Sequence, residues 1–148
     1  MNHSEILSFI WDTADLLRSS FKQHEYGDII LPLTVMRRLD AVLEPTKQAV
    51  LEAAAKKMPD ALRDTMLKKA AGVDFYNRSE FTMRGLLSDA DGIRENLTKY
   101  VTSFSPEIAD IFDKFKIFDR IKDLDDNDLL FLVVERFCNN LADRKSVV

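Results

Sequence analysis

The chain has 148 residues, of which 46% are hydrophobic and 31% charged, and a formal net charge of -4. This length suits one domain spanning residues 1–148 with a real core, and the composition excludes a disordered or membrane-embedded chain. A mildly acidic chain is not a freestanding polyanion binder, so any contact with nucleic acid must come from a local patch.

Helical spacing dominates from the first residues. Ile6, Ile10, Ala14, Leu17 and Phe21 form one stripe of a helix over about 4–20. Asn2 with Glu5 resembles a capping box at its start, and Trp11, flanking the stripe, reads as a core anchor. Residues 23–27 read as a turn. The second helix follows over about 28–43, with Leu31, Val35, Leu39 and Val42 as its apolar line, widened by Leu33, Met36 and Leu43, and Thr34, Arg37, Arg38 and Ala41 on the opposite, polar side. Pro32 is placed in or near the first turn, and Glu44-Pro45 ends the helix.

Residues 46–57 are alanine-rich and helical, with Val50, Ala53, Ala54 and Lys57 on one side. Pro59-Asp60 opens a further helix that Gly72 closes. The aromatics of residues 75–82 are the least regular stretch, compatible with one short hairpin. Ile93, Leu97, Tyr100 and Phe104 return to helical spacing. Ser105-Pro106-Glu107 is a helix start, followed by the stripe Ile108, Ile111, Phe115 and Phe118. The last helix opens at about 125–128 and carries Leu130, Val134, Phe137 and Leu141. Apolar nearly all round in its first half, it reads as the central helix of the bundle. The fold class is therefore all-α, a compact bundle of six to eight helices.

Familiar chemistry is hard to place on this chain. Gly27, Gly72, Gly85 and Gly92 are isolated, so no glycine-rich phosphate or cofactor turn forms. His3 and His24 have no metal-ligand spacing around them, and the expected metal set is none. Residues 123, 125 and 127 of the acidic run match the first ligands of a calcium loop, but Asp128 and Val134 stand where glycine and glutamate are needed. The run reads instead as the acidic N-terminus of the last helix. Cys138, the one cysteine, excludes a disulfide framework and reads as a small core residue. The longest apolar run, residues 129–134, is far below the ~20 residues of a bilayer crossing. With no signal-peptide pattern at the start, the expected location is the cytoplasm, with no membrane partner.

Charge is unevenly spread. Residues 37–69 hold eight basic and five acidic residues, whereas residues 1–36 hold two basic and five acidic. Arg37 and Arg38, on the polar side of the second helix, are candidate phosphate contacts, with Lys47 beside them. Ordinary i,i+4 pairing, such as along Asp60, Asp64 and Lys68, is the competing use of this charge.

The residues also carry a resemblance. Trp11-Asp12-Thr13-Ala14-Asp15-Leu16-Leu17-Arg18, the block Tyr26-Gly27-Asp28-Ile29-Ile30-Leu31-Pro32-Leu33-Thr34-Val35-Met36-Arg37-Arg38-Leu39-Asp40, and Leu43-Glu44-Pro45-Thr46-Lys47 resemble the N-terminal helical domain of the modification subunit of type I restriction–modification systems. Phe75-Tyr76-Asn77, Phe81-Thr82, Leu86-Leu87, residues 96–106 and residues 129–137 fit the same pattern.

The resemblance implies a longer parent, an adenine-specific DNA methyltransferase that transfers methyl from S-adenosylmethionine to adenine N6. Its cofactor motif and its Asn-Pro-Pro-aromatic motif lie in a downstream catalytic domain. Pro32, Pro45, Pro59 and Pro106 are never adjacent, so neither catalytic nor cofactor-binding residues are assigned here, and the chain reads as a fragment or a truncated subunit. The implied partners are double-stranded DNA, held weakly through its backbone, the specificity subunit, a second modification subunit and the restriction subunit. The implied role is to help the assembly clamp DNA and dock partners, with Arg37, Arg38 and Lys47 as candidate contacts. The alternative is a free-standing helical interaction or regulatory module without enzymatic activity.

Overall fold

The computed structural model describes residues 3–141. Eight α-helices follow in chain order: α1 (His3–Leu17), α2 (Tyr26–Leu43), α3 (Lys47–Ala55), α4 (Asp60–Ala71), α5 (Ile93–Thr102), α6 (Pro106–Lys114), α7 (Ile117–Asp126) and α8 (Leu130–Leu141). Short 3-10 turns at 23–25, 44–46 and 85–88 join some of them. The fold is an all-α bundle, with no strand among the described residues. The aromatic segment near 75–82 forms no hairpin. Asn77 instead makes an isolated antiparallel bridge with Phe104, because the corner between α5 and α6 offers it partners that residues 81–82 do not.

Helix α8 is the axis of the bundle, packing on α1, α2, α5 and α7. Leu130, Val133, Val134, Phe137 and Cys138 are buried, and Phe137 meets Phe9 of α1 edge-to-face with ring centroids 4.9 Å apart. Each fully buried side chain of this kind contributes roughly 1.5–3 kcal/mol. The stripe Ile93, Leu97, Tyr100 and Phe104 is buried throughout, as its spacing predicts. Helices α3 and α4 pair with one another as a hairpin, and Val50 and Leu67 join the common core.

Gly72 ends α4 in the left-handed conformation (φ 75°), its N–H bonded to the carbonyls of Lys68 and Lys69. Ser105 and Pro106 open α6 as read from the sequence. That helix then breaks where the periodicity continued. Lys116 adopts φ 56°, so α6 and α7 are separate helices, and Ile111 and Phe118 are surface residues while Phe112 and Ile117 are core.

Three further expectations change. The acidic run lies mostly at the C-terminal end of α7, not at the start of α8: α7 ends at Asp126, and Asp128 turns the chain at φ 58°. Acids there oppose the helix dipole. Cations offset them: Arg94 lies 3.3 Å from Asp125, and Lys122 lies 2.9 Å from Asp126. Pro32 is the seventh residue of α2, not in its first turn, because the helix starts earlier, at Tyr26. Trp11 is not a core anchor, being 64% exposed. The core face of α1 is Phe9, Thr13, Ala14 and Leu17, while Ile6 and Ile10 stay 40% exposed. The capping residue Asn2 and the segment after 141 lie outside the described residues.

Candidate nucleic-acid interface

The second helix positions the predicted contacts, and its core face lies to one side of the expected line: Leu33, Met36 and Leu43 are buried and Val35 and Leu39 half-buried. Leu31 and Val42 are exposed, and the buried line is Ile29, Leu33, Met36, Asp40 and Leu43, stepping by four or three. The buried face contains a charge, which is why apolar pattern alone centres it too far round the helix. Arg37 lies beside this line, 4% exposed, and is not on the polar surface. Arg38, one residue or about 100° further round the helix, is exposed. The two guanidinium groups therefore do not share a face.

Arg37 belongs to a buried polar centre. Its Nη1 donates to Asp40 Oδ2 at 2.5 Å, with both side chains almost wholly inside. The other carboxylate oxygen of Asp40 accepts from the Tyr100 hydroxyl at 2.7 Å and from the Met83 N–H at 3.2 Å. Burial and then the Asp40 charge push the Tyr100 hydroxyl pKa well above its ordinary value, so it stays a proton donor. The Nε of Arg37 has no hydrogen-bond partner among the described residues. Sequence reasoning missed Asp40, Tyr100 and Asn77. The available signal was an acid three residues after an arginine on one helix face.

Lys47 stands at the start of α3, half-buried at the rim of this centre. Its Nζ donates to Asn77 Oδ1 at 3.4 Å and sits 6.0 Å from the centroid of the Tyr100 ring. Burial lowers its pKa to about 8, with Asp40 pulling partly the other way. Asn77 also donates to the Tyr100 carbonyl at 2.7 Å and accepts from the N–H and hydroxyl of Ser79. The segment after α4 is thereby fixed against α5 although it has no regular structure of its own. Fixing it holds Arg78 at the surface.

The remaining basic residues divide by use. Arg63 donates to the carbonyls of Ala54 and Met58 and so ties α4 to the end of α3. Lys68 bridges Asp64 at 3.0 Å and Glu107 at 2.6 Å, joining α4 to α6. Its pKa is raised by Glu107 and then Asp64, and both carboxyls are correspondingly lowered, Asp64 and Glu107 each chiefly by the lysine. Lys56, Lys57 and Lys69 are exposed on and beside the α3–α4 hairpin. The basic excess of residues 37–69 is thus partly consumed inside the fold, and its outward part is Arg38 with these lysines.

A comparison with protein families gives a match to the HsdM N-terminal domain over residues 6–137. That span takes in nearly every described helix, including the whole polar centre. The chain belongs to the HsdM N-terminal domain family. No curated protein and no solved structure shows significant similarity. Membership places this HsdM N-terminal domain in the context of type I restriction–modification systems, as the N-terminal domain of a modification subunit. No described helix is long and apolar enough to cross a membrane.

Proposed function

We propose that this HsdM N-terminal domain is the gripping part of a type I modification subunit. It helps the assembled complex close on DNA and dock its specificity, second modification and restriction subunits while the rest of the subunit methylates adenine N6. In this reading S-adenosylmethionine is bound by the downstream catalytic domain, and this domain contributes position rather than chemistry. The family match over residues 6–137 carries the proposal.

Arg38 and Lys47 are the contacts assigned to DNA, joined by Lys56, Lys57 and Lys69 on the exposed hairpin. Arg37 is reassigned from contact to support: by holding Asp40 inside, it fixes the helix on which Arg38 is carried. Such contacts are to phosphate, so they give affinity without sequence preference, and sequence is read by another chain. The test is DNA binding by the complete modification complex with Arg38, Lys56 and Lys57 changed to glutamine together. Each lost phosphate contact should lower the slope of log affinity against log salt by about 0.9 while leaving the recognised sequence unchanged. An unaltered slope and affinity would place the DNA on another surface. Assembly that proceeds normally without this chain would favour a free-standing module.

A further inference from the structure

Cations that the fold draws inward are matched by carboxylates, with one exception. Among the described residues Arg37, Arg63, Lys68, Arg120 and Arg136 are buried or half-buried, and each has an aspartate oxygen within 3.9 Å. Lys47 is half-buried and has no carboxylate paired with it among those residues. Its Nζ meets only neutral groups, Asn77 Oδ1 at 3.4 Å and the Tyr100 ring at 6.0 Å from the centroid.

The surroundings do not supply the missing charge. Asp40 on α2 acts on Lys47 through space, but its oxygens are taken by Arg37, by the Tyr100 hydroxyl and by the Met83 N–H. Arg37 is itself a like charge, and Tyr100 on α5 stays neutral. On α4, Asp64 pairs with Lys68. Glu44 before α3, Glu52 on it and Arg78 after α4 are exposed. Asn77 Oδ1 already accepts from the N–H and hydroxyl of Ser79. An ammonium taken partly out of water without a counter-ion is unfavourable, and an anion arriving from outside relieves it.

We propose that a phosphodiester oxygen of the DNA backbone is the counter-ion of Lys47, and that closing this contact takes up a proton, so that the domain grips DNA less tightly as pH rises above neutrality. This rests on the assignment of Lys47 to DNA made above and adds its regulation.

The size follows from linkage. Burial holds the ammonium of the free domain at a pKa of about 8, and an opposite charge in contact moves it back toward its ordinary 10.5. The share of affinity that depends on Lys47 should then fall about tenfold between pH 7 and pH 9, with about half a proton taken up per contact at pH 8.

The complete modification complex is titrated with a duplex carrying its site at pH 7, 8 and 9 in one salt concentration. Proton uptake is read at pH 8 by calorimetry in two buffers of different ionisation enthalpy. Lys47→Met should bind more weakly than wild type at pH 7. Lys47→Arg keeps a charge that does not titrate in this range, so it should hold its affinity at pH 9. Both variants should lose the tenfold fall and the half proton. A fall and an uptake of wild-type size in either variant overturn the proton-linked contact. If Lys47→Met is nevertheless weaker at pH 7, the DNA surface itself stands. Lys47→Met binding as wild type at every pH removes Lys47 from that surface, and the glutamine variant of Arg38, Lys56 and Lys57 then decides the surface separately. The same Lys47-dependent uptake on adding inorganic phosphate alone assigns the site to free anions and overturns the DNA assignment.

Discussion

Changing Asp40 to asparagine tests the buried polar centre. Asp40 receives three donors, from Arg37, Tyr100 and Met83, and both members of its ion pair are about 5% exposed. Asparagine still offers one oxygen to Tyr100 and Met83. It presents an amide rather than a carboxylate to Arg37, whose guanidinium is then buried without a counter-charge. Removing one partner of such a pair costs about 3–5 kcal/mol, out of the ~5–15 kcal/mol that stabilise a domain. Urea unfolding followed by circular dichroism should show a midpoint lower by about 2 M, taking a slope near ~2 kcal/mol per molar. Adding Arg37→Met to Asp40→Asn removes the stranded charge and keeps the oxygen, so more than half of the loss should return. A cost under about 1 kcal/mol for Asp40→Asn, or a double variant no more stable than the single one, would refute the view that this pair is a desolvated charge held by its partner.

The other predictions concern separate parts of the fold. Lys47 has a folded pKa of about 8 against an ordinary 10.5, so between those values the unfolded chain binds the extra proton and stability rises with pH. Denaturation at pH 7 and pH 10 should therefore show the wild-type chain gaining on Lys47→Met as pH increases. The carboxyls of Asp64 and Glu107 are depressed by Lys68, so their contribution is present above the ordinary carboxylate range and is lost as pH falls through the depressed values. Lys68→Met should flatten that acid limb, and added salt should do the same to the wild type. Gly72→Ala should cost about 1 kcal/mol because φ 75° strains any residue with a Cβ, while Gly27→Ala, in open space inside α2, should stabilise by about 0.5–1 kcal/mol. Thermal melts of the two variants should move in opposite directions.

Some of the candidate site is legible in the sequence. The polar side of the second helix does present Arg38 to solvent, and the charges of Asp64 and Lys68 do pair at helical spacing, whereas nothing in the sequence marks Lys47 as half-buried. Arg37 is not legible in this way, because its burial depends on Asp40 three residues on and on Tyr100 sixty residues beyond Asp40, and no local pattern connects those three. Trp11 failed for a related reason: a large aromatic beside an apolar stripe predicts burial only if a neighbour arrives to cover it.

The sequence by itself determined the helical class, the stripe of α5, the Gly72 stop, the Ser105-Pro106 start and the central place of α8, because spacing, caps and hydrophobic content act within a few residues of the chain. Tertiary structure decided which side of α2 is inside, where the acidic run stands on α7, and how much of α1 is covered. Those outcomes depend on which distant groups meet. The buried arginine is held by a carboxylate of its own helix, and a hydroxyl from another helix donates to that same carboxylate, an arrangement that exists only once the helices have packed.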